Sequence, residues 1–140
     1  MKRLGKQQPR YIFFLNPYPD ARFTSCPQCG AKTRQRKLPL VIHFWEPPQL
    51  LSLNETCQFC PACDLLIAHE DELVAFFAAF FADSRPAVTA DAYVVVGTID
   101  RRDWARQPAT PPKMFAALHD FKRTVNFQPT PTWVPRTQER

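Results

Sequence analysis

Apolar residues along this chain fall in short runs separated by prolines, and the runs follow two different periods. Tyr11 to Leu15 is an unbroken apolar run closed by the turn cluster Asn16-Pro17-Tyr18-Pro19-Asp20, which predicts a short strand. Leu38 to Trp45 predicts a second strand, broken by Pro47-Pro48. Leu50 to Thr56 brings the chain back, with a bend expected at Asn54-Glu55. Leu65 to Ala68 is a further short strand, with His69 at its far end. Ala92 to Ile99 contains Tyr93-Val94-Val95-Val96, the strongest strand by β-branched content. Its unbroken apolar character predicts burial on both faces.

Two stretches change to a helical period. Glu70-Asp71-Glu72 places three acids where the positive end of a helix dipole would lie. Over Leu73 to Asp83 an arc of Leu73, Val74, Phe76, Phe77, Phe80 and Phe81 opposes Ala75, Ala78, Ala79 and Ala82. The aromatic arc should lie on a sheet, the alanine face against a second helix, and Pro86 should stop the element. Thr110 can cap a helix starting at Pro111-Pro112, in which Met114, Leu118, Phe121 and Val125 recur at helical spacing with Lys113, Asp120 and Lys122 outward. The expected architecture is therefore α+β: an antiparallel sheet, two packed helices at about 71–83 and 111–125, and an additional strand at about 92–99. Residues 1–10 read as a flexible basic tail, 11–127 as a single domain, and 128–140 as a proline-rich extended tail around Trp133.

Composition sharpens this picture. With 140 residues the chain suits one modest core, and 12 phenylalanines against 3 glycines predict a core filled by rings. The 15 prolines predict short elements. The basic stretch Met1 to Arg10 precedes an apolar run too short for a signal peptide, and Leu73 to Ala82 is about half a membrane span. A cytoplasmic location without membrane contact is the expectation. Formal charge is +5, and a divalent cation held by four thiolates would leave about +3. That mild basicity allows an anionic partner.

The chemistry is concentrated in five cysteines. Cys26-Pro27-Gln28-Cys29-Gly30 and Cys60-Pro61-Ala62-Cys63-Asp64 are two Cys-Pro-x-Cys turns. Proline fixes φ after the first thiol of each, while Gly30 and Asp64 tolerate the positive φ that follows the second. An odd number of cysteines clustered in Cys-x-x-Cys pairs argues for metal ligation over disulfides. Cys57 forms a competing Cys-x-x-Cys frame with Cys60. That frame would put Pro61 where Gly30 stands, and proline can neither adopt positive φ nor donate an N–H to sulfur. Cys26, Cys29, Cys60 and Cys63 are therefore the candidate ligands. Cys57 is read as a buried small hydrophobe, with an accessory thiol as the sharper alternative.

From about Phe23 to Ile67 the paired knuckles resemble the zinc-ribbon and rubredoxin-like superfamily. The resemblance implies a small β-sheet holding one metal between two loops, structural Zn2+ in most members and redox iron in others. It gives the sheet of the α+β architecture a zinc-ribbon-like form, and implies a nucleic-acid- or protein-binding module, with a rubredoxin-like electron carrier as the alternative. Lys32, Arg34 and Arg36 would form a basic stripe on one strand face. Arg101, Arg102 and Trp104 make a second contact patch, read alternatively as an exposed turn with internal ion pairs. His43 is isolated, and four thiolates would close the metal's shell. No Gly-rich phosphate loop, Ser-centred elbow or His-Glu-x-x-His occurs, so neither catalysis nor a small-molecule substrate is indicated.

Overall fold

The computed structural model describes residues 4–45, 48–81, 92–105 and 111–128. In chain order the elements are β1 (Ile12–Asn16), β2 (Arg34–Phe44), β3 (Gln49–Cys60), β4 (Leu65–His69), α1 (Glu70–Phe80), β5 (Tyr93–Ile99), α2 (Arg101–Ala105), α3 (Pro111–Ala117), β6 (Leu118–Asp120) and β7 (Arg123–Val125). The strands form one mixed sheet in the order β6-β5-β2-β3-β4-β1-β7. β1 is parallel to both β4 and β7, and the remaining pairings are antiparallel.

The connectivity requires the sheet to curl. β6 and β7 lie at opposite ends of the strand order, yet only Phe121 and Lys122 separate them in the chain. The result is a half-barrel, and the segment before β1 laces its two ends together. Gln7 N–H donates to Leu118 O, Arg10 N–H to Asp120 O, and Lys122 N–H to Tyr11 O. Tyr11 takes φ 68° where this segment passes from β6 to β7. The Asp120 carboxylate also accepts the backbone N–H groups of Leu4 and Gly5, at 2.9 and 2.6 Å. From residue 4 onward the expected N-terminal tail is thus held along β6.

Strand alternation sorts side chains into separate cores. On one face Phe13, Leu40, Ile42, Phe44, Leu53, Phe59 and Val95 pack with Leu73 and Phe77 of α1. Phe77 meets Phe44 and Tyr93 edge-on, each with ring centroids 5.0 Å apart. On the other face Phe14, Leu65 and Ile67 pack with Cys26 and Cys60. A third cluster at Val41, Ile99, Met114 and Leu118 seats α3, with Trp104 packed against it.

The α+β expectation is overturned: the protein is mostly β, and among the described residues the helices span 5, 7 and 11 residues with no two of them packed together. The expected helix at 111–125 stops at Ala117 and continues as β6 and β7. Its periodic residues point to three places: Met114 and Leu118 to the α3 cluster, Phe121 to the α1 face, Val125 to the cysteine face. Pairing of β6 with β5 and of β7 with β1 outweighs the local helical period. The alanine face of α1 consequently has no helical partner among the described residues, and Ala75, Ala78 and Ala79 are exposed. The strand expected at 92–99 is β5, but it is not buried on both faces, since Val94 is exposed. β3 runs unbroken through Asn54-Glu55, because each has a partner on β2. Pro86 and Trp133 lie outside the described residues.

Candidate metal centre

The second knuckle is the β3–β4 hairpin turn. Cys60 ends β3, opposite Leu65, and Pro61 to Asp64 close the loop. Asp64 takes φ 58°, the positive value its position requires. It is pinned twice: its carbonyl accepts the Ile12 N–H at 2.8 Å, and its carboxylate meets Lys122 Nζ at 2.9 Å.

The first knuckle is a small hairpin within the β1–β2 connection. A bridge between Ser25 and Lys32 and a Thr33 N–H to Thr24 O bond form its base. Cys26 N–H donates to Ala31 O at 2.7 Å, and Gly30 N–H returns to Cys26 O at 2.8 Å. Gly30 adopts φ 81°, which a side chain would strain. The Gln28 N–H points at Cys26 Sγ from 3.3 Å, a donor that favours thiolate.

The two turns bring four sulfurs together. Cys26, Cys29, Cys60 and Cys63 place their Sγ atoms within 4.8 Å of one another. Cys29 and Cys60 are 3.6 Å apart, Cys26 and Cys63 4.0 Å. Metal–sulfur bonds of about 2.3 Å in a tetrahedron require sulfurs about 3.8 Å apart, so the cluster has the size for one such ion. Cys26 and Cys60 are buried and Cys29 is exposed. The Ala31 N–H, helped by the Cys63 and Cys60 thiols, lowers Cys29 to about 7. Its hydrogen bond with Cys29 and then burial push Cys63 up to about 12, and burial raises Cys26. One thiolate forms readily and resists others beside it, a repulsion that a bound cation removes.

Cys57 lies apart from this cluster. It stands three positions before Cys60 along β3, and an odd offset puts the two on opposite faces. Cys57 is buried in the α1-side core, while Cys60 belongs to the cysteine-side core. Burial, reinforced by Glu55 and Glu72, drives its thiol well above the ordinary range.

The candidate contact residues separate into two sets. Lys32, Arg34 and Arg36 are exposed where β2 leaves the first knuckle. Arg36 lies over the Phe59 ring at 4.7 Å and near Tyr11 at 5.8 Å. Among the described residues none of the three has an ion-pair partner within 4.0 Å. Arg101 and Arg102 are exposed on α2, whereas Trp104 is half-buried against the α3 cluster. The ion pair that Asp100 of this patch makes goes elsewhere, to Arg10 at 3.2 Å. The Lys122 brace on Asp64 left no trace in local spacing, because those residues are neighbours only once β7 lies beside β1.

Among the described residues no helix is long and apolar enough to cross a membrane. No protein-family model, no curated protein and no solved structure matches the chain.

Proposed function

We propose that the protein is a zinc-binding module in which a structural four-cysteine centre fixes a basic strand for contact with single-stranded nucleic acid. The convergence of four sulfurs from two hairpin turns carries this reading. Four protein thiolates fill a tetrahedral shell and leave no position for substrate, which favours a structural ion over a catalytic one. The ion would tie the β1–β2 connection to the β3–β4 turn and so fix the start of β2. Lys32 and Arg34 there are exposed without an ion-pair partner among the described residues, and the exposed Arg36 guanidinium lies over the Phe59 ring.

Elemental analysis of protein purified from cells, followed by oligonucleotide binding across a salt series, tests the proposal. About one zinc per chain is expected, with log affinity falling linearly against log salt by about 0.7 per phosphate contact. Arg34→Ala with Arg36→Ala should flatten that slope. Oligonucleotide binding that is absent or indifferent to salt rejects the nucleic-acid partner and favours a protein surface as the target.

A rubredoxin-like iron centre is the second reading, supported by the N–H groups of Gln28 and Ala31 directed at the Cys26 and Cys29 sulfurs. Such bonds tune the potential of iron–thiolate sites. A red protein with iron in place of zinc would select it.

A further inference from the structure

Between β2, β3 and the β4–α1 junction lies a cavity of about 330 Å³, at the small end of the range for small-molecule sites. Gln35 and Gln58 line it and stand directly opposite one another in the β2–β3 ladder. Thr56 and His69 come from the same face as the glutamines, and Arg22, Thr24, Cys57 and Glu72 complete the lining.

Hydrogen bonding fixes the chemistry of this lining. The Tyr18 N–H donates to Asn16 Oδ1 at 2.9 Å, which leaves Asn16 Nδ2 as a donor to Ala21 O and to His69 Nδ1 at 3.0 Å. His69 Nδ1 must then accept, and that assigns the proton to Nε2. Burial, then the nearby Arg22 charge, lowers the pKa of the imidazole and keeps it neutral. The charged rim is satisfied from within the protein: Arg22 is bidentate to Asp71 at 2.6 and 3.2 Å and lies 3.7 Å from Glu72. The groups left for a ligand are uncharged, and Gln58 Oε1 is buried with no partner. A buried carboxamide oxygen without a donor is costly, and an entering N–H would satisfy it.

We propose that this cavity holds one nucleobase bearing an exocyclic amino group. Glutamine carboxamides match adenine best, accepting from N6 while donating to N7. An anionic ligand is disfavoured, because the single Arg22 guanidinium already faces two carboxylates, Asp71 and Glu72. A flat heterocycle with alternating donors and acceptors suits two amides, two hydroxyls and an imidazole N–H. The base can come from a free nucleoside or from an unstacked position in a single strand. Arg34 and Arg36 lie on the opposite strand face from Gln35, along the stretch of β2 that β5 leaves unpaired, so in the second case the adjoining phosphates would reach them only around that edge, which rests on the function proposed above; the cavity itself does not.

The test uses the full, metal-loaded chain with adenosine, uridine and ten-residue oligomers of A and of U, followed by calorimetry or fluorescence anisotropy. The A probes should bind about tenfold more tightly than the U probes. Gln58→Leu and, separately, Gln35→Leu should abolish that preference while metal content and melting temperature hold. Binding of adenosine alone assigns the site to a free nucleoside, and a preference seen only in oligomers assigns it to an unstacked base. Equal affinity for A and U overturns the cavity proposal even where salt-dependent oligomer binding persists. Adenosine binding with no oligomer binding instead removes the basic-strand reading and leaves the cavity standing. A preference that survives both leucine variants also overturns the proposal.

Discussion

Replacing Cys57 by serine separates a core thiol from a metal ligand. The Cys57 side chain is 1% exposed and packs in the α1-side core, with Glu55 and Glu72 close enough to act on it. The nearest acceptor is Glu55 O, 3.9 Å from Sγ. Serine's shorter C–O bond carries the hydroxyl no closer, so it would be buried without a good partner at a cost of about 1–3 kcal/mol. For a domain of this size about 2 kcal/mol corresponds to a melting temperature roughly 6–10 °C lower. Metal content should nevertheless remain one ion per chain by elemental analysis, and added zinc should still raise the melting temperature. Cys60→Ser is the contrasting variant. It removes a buried sulfur of the cluster, so it should lose stoichiometric metal and all stabilisation by added zinc, which in the parent reaches about 4 kcal/mol at a thousandfold excess over Kd. A Cys57→Ser protein that folds but loses its ion, or a Cys60→Ser protein that keeps it, would refute the assignment of the sulfurs by strand face.

Three other perturbations address the fold around the centre. Burial, then the neighbouring Glu72, raises Glu55 from 4.5 to about 7, so the folded chain keeps a proton that the unfolded chain releases near pH 4.5. Between those values stability must fall as pH rises, by about 1–2 kcal/mol once the half-exposed setting is allowed for. Glu55→Gln should flatten this decline in urea titrations from pH 4.5 to 8, whereas an unchanged profile would exonerate Glu55. Phe77→Ala empties a fully buried position between Phe44 and Tyr93 and should cost about 3–5 kcal/mol by denaturant unfolding, with metal content intact. Gly97→Ala would press its Cβ against the His119 carbonyl and Leu118 Cδ1, so protection of the β5–β6 amides from hydrogen exchange should drop by about 1–3 kcal/mol; unchanged protection would count against that close approach.

Local chemistry in the sequence was enough to determine the knuckles. Proline after the first thiol of each pair, with Gly30 and Asp64 after the second, forces bends whose backbone angles the structure shows at 81° and 58°. The same was true of short strands bounded by proline clusters, and of α1, whose three acids lie in its first turn. Each of these features depends on residues close together in the chain. Period alone misled at 111–125, because Met114, Leu118, Phe121 and Val125 fit a helix equally well until each is assigned its own core. Only tertiary pairing made strands of Leu118–Asp120 and Arg123–Val125, and only a curled sheet brought the two edges, the segment from residue 4 and the Lys122–Asp64 brace into contact. The cavity lies beyond any local signal for the same reason. Gln35, Gln58 and His69 are far apart in sequence, and they share one face because strand register, a property of the whole sheet, puts them there.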